Sequence, residues 1–86
     1  MLLEIQTPTA TLYKGTIILV RVPGSKGSFA IMKNHAPLVS TLEPGEIKVV
    51  EPDKSEVFFD LTETGVVEVR KNQVVILADA IKKSDK

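Results

Sequence analysis

Hydrophobic residues along this chain alternate with polar ones in short runs, and turn-forming residues separate the runs. In "GEIKVV", Gly45 to Val50, Ile47 and Val49 fall on one side of an extended segment and Glu46 and Lys48 on the other. That period of two belongs to a strand with one wet face. "GVVEVRKNQVVIL", Gly65 to Leu77, repeats the pattern on both sides of Lys71-Asn72, with Val67 and Val69 toward a core and Glu68 and Arg70 outward. It reads as a hairpin with a two-residue turn.

Extended segments are predicted at Leu2 to Thr7, Thr11 to Tyr13, Thr16 to Val22, Phe29 to Met32, Val39 to Leu42, Glu46 to Val50, Glu56 to Leu61, Val66 to Arg70 and Gln73 to Leu77. Pro8, Gly15, Pro23-Gly24, Gly27, Pro37, Pro44-Gly45, Pro52-Asp53 and Gly65 punctuate them, a spacing that suggests a sandwich or barrel. Val, Ile and Thr supply 25 residues and Ala only five, a skew that favours pleated surfaces over helices. No 3.6-residue apolar period is sustained before "ADAIKKSDK", where Ala78 is expected to begin a helical turn that the chain does not continue.

No linker, repeat or low-complexity segment divides the 86 residues, so residues 1–86 read as one all-β domain with one modest core. Hydrophobic residues make up 43% and charged residues 26%, which places the chain among globular domains and apart from disordered tails. Eleven basic and eleven acidic side chains balance, so no basic stripe exists to collect phosphates, and nucleic acid is not an expected partner. The absence of cysteine removes disulfides, thiolate catalysis and the usual zinc sites, and fits a cytoplasmic setting. The longest apolar run near the N-terminus, Ile17 to Val20, is far too short to span a bilayer. Direct membrane insertion is not expected, and any membrane association must come through a partner.

The chain's one histidine, His35, stands in "NHAPLVSTLEPG" with Ser40 and Thr41 nearby, but without a nucleophile elbow or an oxyanion-type glycine motif. A structural hydrogen-bonding role or a place at an interface is the expectation. One histidine with scattered carboxylates has no metal-ligand spacing, so no metal or cofactor is expected. "VPGSKG", Val22 to Gly27, lacks the Gly-Lys-Ser/Thr of a phosphate loop and reads as a turn whose Ser25 and Lys26 meet water or a partner. Two other small all-β classes remain open on residues alone. Lys33 in "AIMKNHA" or Lys54 in "PDKS" could be the modified lysine of a biotinyl or lipoyl carrier domain. An oligonucleotide-binding barrel would need exposed aromatic rings, yet Phe58 and Phe59 are adjacent in one strand, so at most one can face a ligand.

Taken together, "VPGSKGSFAIMKNHAPLVSTLEPGEIKV" and "TGVVEVRKNQVVILAD" carry a more specific pattern. Val22-Pro23-Gly24, a short glycine loop, the apolar Phe29 to Met32, His35-Ala36-Pro37-Leu38 and Pro44-Gly45 follow one another as in the N-terminal domain of the epsilon subunit of bacterial rotary ATP synthases, which this chain resembles over nearly its full length. Gly65 to Val69 and Val74 to Asp79 extend the resemblance. It implies a flattened sandwich of about ten strands. It also implies a non-catalytic part of the central stalk of a proton-translocating synthase, bound to the rotating gamma subunit and to the membrane c ring. Such a part is peripheral, at the cytoplasmic face of the bacterial inner membrane.

By matched position, Gly24, Ser25, Lys26, Gly27 and Ser28 would meet the c ring; Ser28 and Lys26 stand where relatives often carry acidic residues. Thr7, His35 and Ser40 correspond to positions facing gamma. An interface also needs an apolar centre, for which Leu38, Val39 and Leu42 are the candidates, so Leu38 and Leu42 join the expected gamma surface. After Ala80 only "IKKSDK" remains, where relatives continue into a C-terminal helical hairpin. The expectation is therefore a chain without that hairpin, without its brake on hydrolysis and without its ATP site.

Overall fold

A computed structural model describes residues 1–86 as ten strands and no helix. They are β1 (Leu2–Gln6), β2 (Thr11–Thr16), β3 (Leu19–Gly24), β4 (Gly27–Met32), β5 (Leu38–Leu42), β6 (Gly45–Val50), β7 (Glu56–Leu61), β8 (Gly65–Arg70), β9 (Gln73–Ala78) and β10 (Ile81–Lys83). All are linked by hydrogen bonds in the order β10-β7-β6-β3-β5-β8-β9-β1-β2, with β4 on β3. The continuity is thin at one place. β3 pairs with β6 through Leu19 to Arg21, then meets β5 only at Gly24↔Leu42. There the sheet folds over, giving two leaves, β4-β3-β6-β7-β10 and β5-β8-β9-β1-β2, packed face to face. Within the second leaf β1 and β9 run parallel and the other pairs are antiparallel.

The period of two decides what lies between the leaves. Leu3, Ile5, Leu42, Val67, Val69, Val74 and Ile76 come from one leaf, and Val20, Val22, Ile31, Ile47, Val49, Phe59 and Leu61 from the other. With Ile17 and Ala78 they form a core in which no polar side chain is buried. Val67 and Val69 point inward and Glu68 and Arg70 outward, as the alternation predicts. Phe59 is buried while Phe58 is partly exposed, so the adjacent rings divide between core and surface. Tyr13 of β2 crosses to the other leaf. Its ring meets that of Phe59 edge to face at 6.0 Å between centroids, and its hydroxyl donates to Glu51 Oε2 at 2.6 Å.

Three expectations change, the first at Thr16 to Val22, where Thr16 closes β2 against Leu2 and β3 begins only at Leu19. The predicted break after Tyr13 is absent, because β2 keeps its pairing with β1 through Gly15 to Thr16 and absorbs the irregularity as a bulge at Leu12, between Tyr13↔Ile5 and Thr11↔Gln6. The expected helical turn at Ala78 is also absent. Ala78 closes β9, Asp79 and Ala80 turn, and Ile81–Lys83 pair with Leu61, Asp60 and Phe59 on the edge of β7. A short run rich in Lys, Asp and Ser is a poor isolated helix, whereas β7 offers a row of unpaired backbone groups. Thr62 N–H to Ala80 O and Ser84 N–H to Phe58 O fasten the segment there, and Ile81 packs against the core.

Two measurements check this packing. Phe59→Ala should cost about 3–5 kcal/mol in denaturant unfolding, since it removes the largest wholly enclosed side chain and the Tyr13 contact. The Tyr13 hydroxyl is pushed up from 10.0 to about 12, first by burial and then by the hydrogen bond and charge of Glu51. A phenol whose folded value lies above its unfolded value contributes stability that is full below pH 10 and lost as pH rises toward 12. The stability margin of the native chain over Tyr13→Phe should therefore be constant to about pH 9 and shrink above it.

Candidate functional site

The β3–β4 hairpin ends in Ser25-Lys26 between the paired Gly24 and Gly27. Glycine is required at both flanks. A Cβ on Gly24 would lie 2.7 Å from the Phe29 ring and 2.8 Å from Gly27 O, and Gly27 leaves the turn at φ 123°, a conformation other residues rarely adopt. Ser25 ties the tip to β5, with its N–H donating to Thr41 O at 3.1 Å and its Oγ lying 2.7 Å from Thr41 Oγ1. Ser25, Lys26, Gly27 and Ser28 are exposed, Gly24 is half-buried, and Lys26 has no ion-pair partner. The residues expected to meet a ring thus form one exposed hairpin tip, tied to β5 through Ser25.

His35 lies at the opposite end of the second leaf. Asn34 and Asn72 both adopt left-handed backbone, at φ 67° and 61°, and clasp each other: Asn34 N–H donates to Asn72 Oδ1 at 2.6 Å, and Asn72 Nδ2 donates to Asn34 Oδ1 at 3.3 Å. With Lys71 at φ 50°, Asn72 forms the expected two-residue β8–β9 turn, which therefore also anchors the β4–β5 loop. His35 N–H donates to Met32 O at 3.1 Å. Its Nδ1 lies 2.8 Å from Ala36 O, and since a carbonyl only accepts, Nδ1 carries the proton. The hydroxyls of Ser40 and Thr41 bond Thr41 O and Ser25, so neither is oriented by the imidazole. The ring shapes the loop ahead of Pro37.

Along β5 the alternation sorts the expected contact residues. Val39 and Thr41 face outward, Val39 at 69% exposure, while Leu38 and Ser40 are half-buried. Leu42, expected at the gamma surface, is wholly buried opposite Gly65, so its side chain presents nothing to a partner, and Val39 is the exposed apolar residue of this strand. Register then shows what sequence reasoning missed. The outer face of this leaf carries the rows Thr41, Val66, Leu77, Gln6 and Val39, Glu68, Val75, Glu4, Lys14. Leu77 is 48% exposed, and Val66 and Val75 are half-buried. The signal lay in "VVIL", Val74 to Leu77: an unbroken apolar run in a strand must place alternate residues on the outer face.

The outer face of the other leaf differs. Lys48 pairs with Glu56 at 3.7 Å, and Lys86 bonds Glu46 while its Nζ lies 5.1 Å from the centre of the Phe58 ring. The bond to Glu46 holds the Lys86 ammonium above the usual lysine range. At the β6–β7 tip, hydrogen bonds from Ser55 hold Asp53 below the usual carboxylate range. Lys33 and Lys54 both stand exposed in turns, and no three His, Asp or Glu side chains converge as metal ligands would.

Thr7 does not join His35. β1 separates them by roughly 14 Å of extended chain. Thr7 instead lies with Ser25 around a cleft of about 650 Å³ at the tip end of the leaf, floored by Thr41, Val66 and Leu77. Its Oγ1 is used locally, accepting from Ala10 N–H at 3.1 Å.

Residues 1–84 match the family described as ATP synthase, Delta/Epsilon chain, beta-sandwich domain. A curated relative, the ATP synthase epsilon chain of Protochlamydia amoebophila (strain UWE25), is 34% identical over 79 residues, covering 92% of this chain and 53% of that one. The chain thus spans about half the length of that relative. Its backbone is similar to a chain in the Euglena gracilis mitochondrial ATP synthase (OSCP, F1 and c-ring), with a TM-score of 0.88 at 14% identity, covering 94% of this chain and 51% of the other. It is also similar to one in the Tetrahymena thermophila mitochondrial ATP synthase central stalk and c-ring, with a TM-score of 0.76 at 19% identity, covering 94% and 64%. At those identities the two structures speak to the fold alone, and the fold agrees with the family: this chain belongs to the ATP synthase delta/epsilon chain family, whose beta-sandwich domain occupies residues 1–84.

Proposed function

We propose that this domain is a non-catalytic part of the central stalk of a proton-translocating ATP synthase, holding the gamma subunit with the outer face of the β5-β8-β9-β1 leaf and standing on the c ring through the Gly24–Ser28 tip. The observation that carries the reading is the family match over residues 1–84. The geometry supports it in three ways. A part that transmits torque needs a stiff body, and here both leaves close on a wholly apolar core. It needs contacts spread over more than one region, because a single small patch would pivot under load; the tip and the outer face together supply that spread. Lastly, the outer face of this leaf presents Val39, Val66, Val75 and Leu77, the apolar centre that a stable interface requires.

Size permits both contacts. A standard interface takes about 800 Å² from each partner, and the free domain exposes 5142 Å². His35, Leu38 and Ser40 would border the gamma contact at the far end of β5, and Thr7 would border it at the tip end. Bound in this way, the chain is peripheral to the membrane, at the cytoplasmic face in a bacterium, and reaches the bilayer only through the ring.

Two experiments separate the contacts. Val39→Glu with Leu77→Glu should lower recovery of a co-expressed gamma subunit by about tenfold or more while leaving the melting temperature unchanged; undiminished recovery would exclude this face. Lys26→Ala removes the exposed ammonium from the tip and leaves both Ser25 bonds to Thr41 in place. Ring attachment should be lost and gamma binding kept.

A further inference from the structure

The cleft at the tip end has a composition of its own. One residue beyond the register pairs Leu42↔Gly65↔Ala78 stand Glu43, Thr64 and Asp79, all exposed and all lining it. Its charged residues are the two carboxylates of Glu43 and Asp79, and no Lys, Arg or His lines it. The molecule's two ion pairs, Lys48–Glu56 and Lys86–Glu46, lie on the other leaf, and neither Glu43 nor Asp79 has a side-chain hydrogen-bond partner. The strands leading to them are two sheet spacings apart, about 10 Å, so one elongated side chain can lie between them. Threonine and serine hydroxyls line the walls, and Val66 and Leu77 form an apolar floor continuous with the outer face of the leaf.

We propose that this cleft receives a loop of the gamma subunit that presents an arginine or lysine between Glu43 and Asp79, its apolar stem lying on Val66 and Leu77. The proposal rests on the stalk reading above and adds the chemistry of the partner. Two like charges at the rim of a concave, weakly polar surface focus a field of one sign. A cation entering there meets no competing ammonium, and its methylene stem covers apolar surface that is otherwise wet. Continuity of the floor with the Leu77 face selects gamma over the ring as the source.

The test titrates the chain against its gamma subunit from about 50 mM to about 500 mM salt. Glu43→Gln with Asp79→Asn should weaken binding by about tenfold or more at low salt and flatten the salt dependence, with the melting temperature unchanged. If the double variant binds gamma with native affinity and native salt dependence, while Val39→Glu with Leu77→Glu does not bind, the cation-accepting cleft is wrong and the stalk reading stands. If the unaltered chain does not bind gamma at all, the stalk reading fails and the proposal is overturned with it.

Discussion

The register pair Gly24↔Leu42 is the constraint on which the rest depends. β3 cannot serve β6 along its whole length and also reach β5, so it divides, pairing with β6 through Arg21 and handing the sheet to β5 at Gly24. Each leaf alone is an amphipathic sheet with one apolar face, and the handover joins the two within one hydrogen-bonded sheet. With it, the inward residues of both leaves are removed from solvent together, a burial worth about 1.5–3 kcal/mol for each large aliphatic or aromatic side chain. Glycine is needed at the handover for a local reason, since a Cβ there would collide with Phe29 and with the Gly27 carbonyl.

The same corner places the surface features. Because β3 turns away at Gly24, its hairpin with β4 ends beside β5, and Ser25 can fasten to Thr41. That fastening builds one wall of the cleft and sets the tip beside the β1–β2 loop that carries Thr7. At the far end the Asn34–Asn72 clasp fixes the loop of His35 against the β8–β9 turn. Each terminus of the leaf is thus stiffened by a contact between segments distant in sequence, while the face between them stays open. A rigid frame around an exposed apolar face is what a load-bearing contact requires, because the partner then binds a preformed surface with little ordering cost.

The two outer faces show how similar strands acquire different roles. On β6 and β7 the outward residues include Lys48 and Glu56, which satisfy each other, and Lys86 returns to cover Phe58 and bond Glu46. On β5, β8 and β9 the outward residues include Val39, Val66, Val75 and Leu77, interrupted by Glu68 and bordered by Glu4. The first face also carries the apolar row Met32, Leu19 and Val50. On the second the apolar residues spread over three neighbouring strands, with Val39 and Leu77 well exposed.

By itself the sequence determined nine of the ten strands, the inward sets of β6 and β8, the Lys71-Asn72 turn and the family, because period-two alternation, turn chemistry and motif order are local properties that neighbouring residues impose on the backbone. His35 was legible as a shaping residue for the same reason, since no partner group lies near it in the chain. Register and pairing were not local. Whether Leu42 or Val39 faces out depends on which way the first residue of β5 points when it pairs with β8, and the fate of Ile81 to Lys83 depends on an open edge supplied by β7, twenty residues earlier. The cleft between Glu43 and Asp79 belongs to tertiary structure alone, because its floor, walls and rim come from five separate stretches of chain, and only the sheet's hydrogen bonds set their distances.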